Sequence, residues 1–465
     1  MAAAGFLDRS RIIAPPGWSR WLVPPAALAI HLSIGQAYAW SVFKDPLAAT
    51  MLHGSKYSGT LTALPFNLAI VMLGVSAAIF GTKVDHKGPR WAMVVATVCF
   101  GLGFLISAAG VAMGQYWLVV VGYGFVGGIG LGIGYISPVS TLIKWFPDKP
   151  GMATGLAIMG FGGGALIASP WSTAMLSAFG GTGAHAHAGG VAQTFLYHGI
   201  GYMIFMSLGW LLVRVPADDW RPAGWDPTMV REKPLITTAN VSANNAIKTP
   251  QFWLLWVVLC FNVTAGIGIL ERAAPIYKDF FKDSTPAATI TGIAAGFVAI
   301  LSLANMTGRF VWSSVSDLIG RKNIYRFYLG FGAVLYLVLE VVGNGSKAVF
   351  LLAAMLILSF YGAGFATVPA YLRDLFGTYE VGAIHGRLLT AWSVAGVAGP
   401  LIVDFIADTQ KAAGLSGVAL YHLSFRIMIG LLVVGIVCNE LIKPVAAKYH
   451  EPGQADEVAV DGRTY

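Results

Sequence analysis

Gly81-Thr82-Lys83-Val84-Asp85-His86-Lys87-Gly88-Pro89-Arg90 reappears as Ser313-Ser314-Val315-Ser316-Asp317-Leu318-Ile319-Gly320-Arg321-Lys322. The aspartate, the second glycine and the final cation keep their spacing in both copies. A segment repeated at half the chain length signals two related units. Each part has a physical use. The glycine permits a tight turn, the aspartate suits a helix N-terminus, and the cations belong at a membrane–water boundary. Two unrelated basic loops would have no reason to share that register.

Working outward from the repeat, the 465 residues are 56% hydrophobic and only 11% charged, with a mean hydropathy of +0.68. That balance excludes a water-solvated globule, whose exterior needs far more charge. A hydrocarbon slab takes about 20 apolar residues per helix, so this length accommodates about twelve spans. Apolar stretches fall at Trp21–Phe43, Leu61–Phe80, Trp91–Met113, Trp117–Ser137, Met152–Phe179 and Phe195–Val213. A second set falls at Phe252–Leu270, Ala287–Trp312, Ile324–Val342, Ala348–Val368, Leu388–Ile406 and Tyr421–Ile442. Each copy of the repeat joins the second and third span of its set. The expected fold is therefore an all-α membrane protein, with twelve transmembrane helices in two six-helix pseudo-symmetric bundles. The bundles cover residues 1–215 and 249–445, and a polar tail covers 446–465. Residues 216–248, carrying Asp218, Asp219, Arg221, Asp226, Arg231, Glu232, Lys233 and four prolines, read as a solvated cytoplasmic linker.

Roughly 21 of the 30 Lys and Arg residues lie on the side shared by both termini and the linker, which predicts an inner (plasma) membrane protein with cytoplasmic termini. The net charge of +8 reflects this bias and no nucleic-acid surface, since the cations are spread over loops. The first apolar run is too long for a signal peptide and is expected to be the first helix. Cys99, Cys260 and Cys438 all fall within spans, so no disulfide framework is implied. The glycine runs at 127–134 and 160–164 suit close helix packing; without a preceding strand they are no phosphate loop. His185 and His187 have no further ligands around them and read as loop. No cofactor, no metal, no catalytic residue and no enzymatic activity are expected, and the lipid bilayer is the expected environment.

Arg309 stands in or at the end of the eighth span among apolar and small residues. Arg at a helix centre costs about 2.5–3.5 kcal/mol on insertion scales, so it needs a partner or a wet cavity. Two readings stay open. A carboxylate substrate would match the planar guanidinium fork; alternatively the arginine snorkels at the helix end or braces Asp317.

The repeated loop, Arg309 and the two-half plan resemble the signature of the major facilitator superfamily. Tyr38-Ala39-Trp40-Ser41-Val42-Phe43 and Lys144-Trp145-Phe146-Pro147-Asp148-Lys149-Pro150-Gly151-Met152-Ala153-Thr154-Gly155 look like the oxalate/formate antiporter family. So do Thr264-Ala265-Gly266-Ile267-Gly268-Ile269-Leu270-Glu271 and Gly308-Arg309. The monocarboxylate porters share the plan. The resemblance implies a carrier whose two halves rock around a midplane site, with Arg309 binding substrate inside an aromatic cage of Tyr38, Tyr135, Phe161, Tyr361 and Phe365. It implies a conformational gating role for Gly81, Asp85, Gly88, Arg90, Asp317, Gly320 and Arg321. Two positions depart from the pattern. Trp392 stands where oxalate transport uses a second cation, which favours a monoanion, because an unpartnered buried carboxylate is costly. Asn305 stands where proton-coupled porters have an aspartate, and Glu271, Glu340, Asp404 and Glu440 all sit toward span ends. Exchange or uniport of a formate-, lactate- or pyruvate-class anion by a single chain is therefore expected. A carrier of an unrelated solute such as a drug or sugar is the alternative. A channel would call for pore helices or charge rings, and a sensor for a soluble effector domain.

Overall fold

A computed structural model describes residues 5–53, 55, 58–181, 187–217, 220–225, 235–237, 239–343 and 345–451. Among these the regular structure is helical, and an isolated bridge pairs Ile13 with Val215. The first half contains α1 (Val23–Ile34), α2 (Ser41–Met51), α3 (Ser58–Lys87), α4 (Pro89–Ala112), α5 (Tyr116–Val119), α6 (Gly128–Trp145), α7 (Pro150–Ala178) and α8 (Ala188–Leu212). A short α9 (Ala243–Ala246) precedes the second half: α10 (Pro250–Phe281), α11 (Ala287–Ile319), α12 (Arg321–Val342), α13 (Lys347–Phe376), α14 (Val381–Leu388), α15 (Thr390–Ala412) and α16 (His422–Leu441).

Ten spans among the described residues are long and apolar enough to cross a membrane, and a bent pair makes an eleventh. The 33-residue α11 is the remaining long helix, and at 1.5 Å per residue it reaches about 50 Å. Several helices run past the ends of their apolar stretches, and three spans also differ in where they start or break. The first is broken at Trp40, where Arg20–Ala39 and Ser41–Met51 meet at 53°. The sixth starts at Ala188, seven residues before the apolar run, and the eleventh at Val381 with a break at Leu389. Hydropathy sees only the lipid-like part of a helix, whereas backbone hydrogen bonding carries on into the polar boundary.

Local chemistry explains the punctuation. Pro89, Pro150 and Pro250 occupy first helical positions, where their missing N–H costs nothing. Thr249 and Ser346 accept the N–H of Phe252 and Val349 as N-caps. Between α3 and α4, and between α11 and α12, a single glycine replaces a loop. Gly88 and Gly320 both hold φ +87°, a conformation that L side chains rarely adopt.

With lipid as solvent, helices associate through close packing of small residues more than through apolar burial. At the break in the first span, a Cβ on Gly164 of α7 would stand 2.6 Å from the Gly35 Cα. That approach fixes the tight Gly35–Ala39 turn against α7.

The polar segment between the halves is not uniformly solvated. Asp218, Asp219, Asp226, Arg231, Glu232 and Lys233 lie outside the described residues. Its distal part, however, packs on the second half. Thr237 and Val241 donate to the carbonyls of Asp374 and Phe376 (2.8 and 2.9 Å), and Ala243 N–H donates to Glu380 (2.8 Å). Glu451, at the base of the tail, closes the same patch by donating its N–H to the Asn240 carbonyl.

Gly164→Ala is expected to lower the thermal unfolding midpoint in detergent, through overpacking of about 1–3 kcal/mol. Gly430→Ala, whose Cβ meets nothing within 4 Å, leaves the midpoint unchanged or raises it. A scan of intrinsic fluorescence against temperature separates the two.

Candidate functional site

Arg309 lies ten residues before the end of α11, about 15 Å from that end, and is fully buried. Its Nε donates to Asn305 Oδ1 (3.0 Å), one turn earlier, and its Nη1 reaches across to the Ile158 carbonyl of α7 (3.5 Å). Nη2 has no hydrogen-bond partner. Among the described residues no carboxylate pairs with this guanidinium. The Glu271 side chain lies outside that set. The rings of Phe161 and Phe365 flank the charge, with Cζ 5.7 and 5.4 Å from their centres. Two glycines make the seat. A Cβ on Gly162 would stand 2.8 Å from Nε, and one on Gly362 would stand 2.4 Å from Asn305 Oδ1. Gly162 belongs to a run visible in the sequence, but nothing there points to Gly362.

Arg309 does not brace Asp317. That carboxylate bonds to Arg321 (2.6 Å) and to the Gly151 and Met152 N–H groups (2.8 and 2.9 Å).

Both halves contribute to the cage. Tyr38, Tyr135 and Phe161 come from the first, and Tyr361, Phe365 and Trp392 from the second. The Phe161 ring lies 5.0 Å from Tyr38, 5.3 Å from Tyr135 and 5.3 Å from Trp392; Trp392 lies 4.5 Å from Phe365. The Tyr38 and Tyr361 hydroxyls bond to each other across the halves at 2.9 Å. Tyr38 alone in the cage keeps partial exposure. Among the described residues, the buried Tyr135 hydroxyl, Trp392 Nε1 and Arg309 Nη2 find no hydrogen-bond partner. Every candidate binding residue, Asn305 included, is thus brought into one cluster. The sequence reading passed over His31 and His385, both buried beside Tyr135. As lone histidines in apolar runs, they carried no pattern.

Three of the four acidic residues near span ends are held in ion pairs away from this cluster. Glu340 meets Arg426 and His422 (2.7 and 3.1 Å), Asp404 meets Arg272, and Glu440 meets Arg326 (2.5 Å).

The repeated loop closes the side of the molecule that carries the termini. Asp85 Oδ2 accepts the Ala383 N–H (2.8 Å) at the start of α14. Asp317 does the same for α7, so each aspartate caps a helix N-terminus of the opposite half, where the helix dipole favours its charge. The final cations also match. Arg90 donates to the Trp210 carbonyl in the last turn of α8, and Lys322 to the Glu440 and Ile442 carbonyls at the end of α16. Small residues line both seams. A Cβ on Gly81 would stand 2.7 Å from the Ala383 Cα, and one on Gly155 2.1 Å from Ser313 Oγ.

Among the described residues no group of three or more His, Cys, Asp or Glu side chains could hold a metal. His185 lies outside them, and His187 precedes α8. The three cysteines are free.

Two helical halves related by a repeat and packed around a buried charged cluster define an integral membrane transporter. The chain belongs to the Major Facilitator Superfamily, whose family model matches residues 18–400. It is 28% identical over 390 residues to the oxalate:formate antiporter of Oxalobacter formigenes, covering 82% of this chain and 83% of that one. It is 24% identical over 399 residues to apicoplast pyruvate carrier 1 of Toxoplasma gondii, covering 76% and 71%. In fold it is similar to the superfamily transporter FucP in the outward conformation, with TM-score 0.63 and 15% identity, covering 90% of this chain and 98% of FucP.

Asp317→Ala is expected to remove a cap worth about 0.5–2 kcal/mol and to loosen the seam between α7 and α11. In a background lacking Cys99, Cys260 and Cys438, a cysteine at the buried Thr154 then reacts faster with a membrane-impermeant maleimide from the termini side.

Proposed function

We propose that the chain carries a small monocarboxylate of the formate, lactate or pyruvate class across the inner membrane by alternating access, with both termini cytoplasmic and one chain sufficient. The observation that carries this reading is the Arg309 guanidinium, fully buried, without a carboxylate among the described residues and with Nη2 unbonded. A charge in that state is costly unless an anion completes it. The neighbouring unpartnered donors, Tyr135 OH and Trp392 Nε1, would satisfy the second carboxylate oxygen. The aromatic walls exclude water, which strengthens charge-assisted bonds inside.

Trp392 supports a monoanion. A neutral indole replaces the second fixed cation that a dicarboxylate needs, and a second carboxylate here would face the aromatic wall. The Oxalobacter relative is named for oxalate and formate and the Toxoplasma relative for pyruvate, and a site with one fixed cation suits the monoanions among these. Asn305 bears on the cycle. An acid there would neutralise Arg309 in the empty carrier, whereas the amide only holds the guanidinium in place. The empty carrier keeps its buried charge while reorienting, which favours exchange of one anion for another. In this role Asp85, Asp317 and Arg321, with Gly81, Gly88, Arg90 and Gly320, hold the termini side shut while the anion enters from the other side.

Purified protein in liposomes is expected to take up labelled formate or lactate faster when the same anion is loaded inside, and to prefer both over oxalate. Arg309→Gln abolishes this uptake, while Tyr38→Phe retains part of it. Preference for oxalate would refute the monoanion reading, and saturable uptake of a sugar or drug in its place would refute the anion reading.

A further inference from the structure

His31 of α1 is fully buried, and both of its ring nitrogens face backbone carbonyls. Nδ1 lies within hydrogen-bonding reach of the Ala157 oxygen of α7, and Nε2 lies 3.1 Å from the Tyr135 oxygen of α6. A carbonyl oxygen only accepts, and a neutral imidazole has one N–H to give. In the neutral ring one nitrogen lone pair would confront a carbonyl lone pair with no water to separate them. The imidazolium, a donor at both nitrogens, satisfies both carbonyls. The arrangement is a built seat for a proton.

That seat is joined to the anion site. Ala157 and Ile158 are consecutive, and their carbonyls receive His31 and Arg309 respectively. The Tyr135 carbonyl holds His31 while the Tyr135 hydroxyl stands free among the cage residues. His31 and His385 of α14 both pack on the Tyr135 ring, with ring centres 5.4 and 5.9 Å away, and His385 Nε2 has no partner among the described residues. The other neighbours supply no counter-charge. Helix α7 carries no titratable residue. His198 of α8 is engaged by Ser172 and the Thr194 carbonyl, and the Tyr202 ring packs on it. Helix α4 offers Arg90 and Cys99, and Arg20, at the start of the same span, pairs with Asp148. Tyr38 bonds to Tyr361. Two cations, Arg309 and protonated His31, thus share one dry region with no acid among the described residues to balance them.

We propose that His31 is a proton site linked to the anion site, so that a carboxylate bound at Arg309 draws a proton from water onto His31 and the two cross together. This rests on the carboxylate reading of Arg309. In the empty carrier the Arg309 charge opposes the imidazolium; a bound anion offsets that repulsion and favours it. Linkage is reciprocal, so the same coupling makes anion affinity rise as pH falls. The sequence points away from proton coupling because Asn305 replaces an acid in the second half. His31 supplies a titratable group from the first half instead.

The test is titration calorimetry of the full-length protein in detergent with formate and lactate, at neutral and alkaline pH, in pairs of buffers of different ionisation heat. On the alkaline side the wild type is expected to take up close to one proton per anion bound, and its affinity is expected to fall about tenfold per pH unit. His31→Gln removes the proton uptake and flattens the pH dependence. If that variant does not fold, the wild-type proton count still decides. Binding that Arg309→Gln abolishes, but that takes up no proton, would overturn the proton site and leave the anion site standing. Absence of binding by either anion would overturn both.

Discussion

A guanidinium held away from water and lipid, with no acid beside it among the described residues, sets the terms for the helices around Arg309. Such a charge needs partial solvation from the protein, and the surroundings supply it in neutral pieces. These are the Asn305 amide oxygen, the Ile158 carbonyl and the faces of Phe161 and Phe365. Each offers electron density without a full negative charge. The side chain is thereby fixed in place while its field remains open to an anion. The glycines at 162 and 362 follow from the same requirement, since any Cβ there would meet Arg309 or Asn305.

The second organising element is the exchange of helix caps between the halves. A helix start has N–H groups with no partner inside the helix. Helices α7 and α14 satisfy theirs with Asp317 and Asp85, each from the opposite bundle. A seam made this way is strong when shut, because charge meets dipole in a partly dry place. It can also open, because water can replace every bond. The two copies are unequal. Arg321 bridges Asp317 and Asp374 (2.6 and 3.1 Å), whereas Pro89 occupies the matching position in the first copy. Beside Asp85, His86 lies 3.5 Å from Glu380 and Lys144 adds its charge. The seam between α7 and α11 is thus built on an arginine shared by two aspartates.

Much of this was legible in the sequence, for reasons that differ by element. The spans are visible because the bilayer imposes one length and one polarity on each. The repeat is visible because two glycines at φ +87° and two capping aspartates tolerate few substitutes. Arg309 stands out because a cation in an apolar run is rare. What escaped depends on contacts between distant segments. An aspartate's fitness for a helix start can be read locally, but not that the helix lies in the other half. The break at Trp40 comes from Gly35 pressed against α7, 129 residues on from it in the case of Gly164. The packing of Val241 and Ala243 on the second half depends on carbonyls and a carboxylate near residues 374–380. His31 has no neighbouring ligand in sequence, and its meaning lies wholly in two carbonyls from α6 and α7.

The polar atoms of the cage fall into two kinds, and the difference bears on how a carrier opens. Tyr38 and Tyr361 satisfy each other across the halves, so the closed molecule incurs no desolvation cost at either hydroxyl. When the halves part there, water replaces each partner, and the exchange is nearly neutral because one hydrogen bond is traded for another. Arg309 Nη2, Tyr135 OH and Trp392 Nε1 have no such partner in the closed state, and an unpaired buried donor costs about 1–3 kcal/mol. The empty closed state thus carries a penalty that an anion would remove. Pairing at the tyrosines keeps the barrier to opening low, and the unpaired donors beside them favour closure around a ligand. That combination is what the proposed anion exchange calls for, and side chains of both halves supply it.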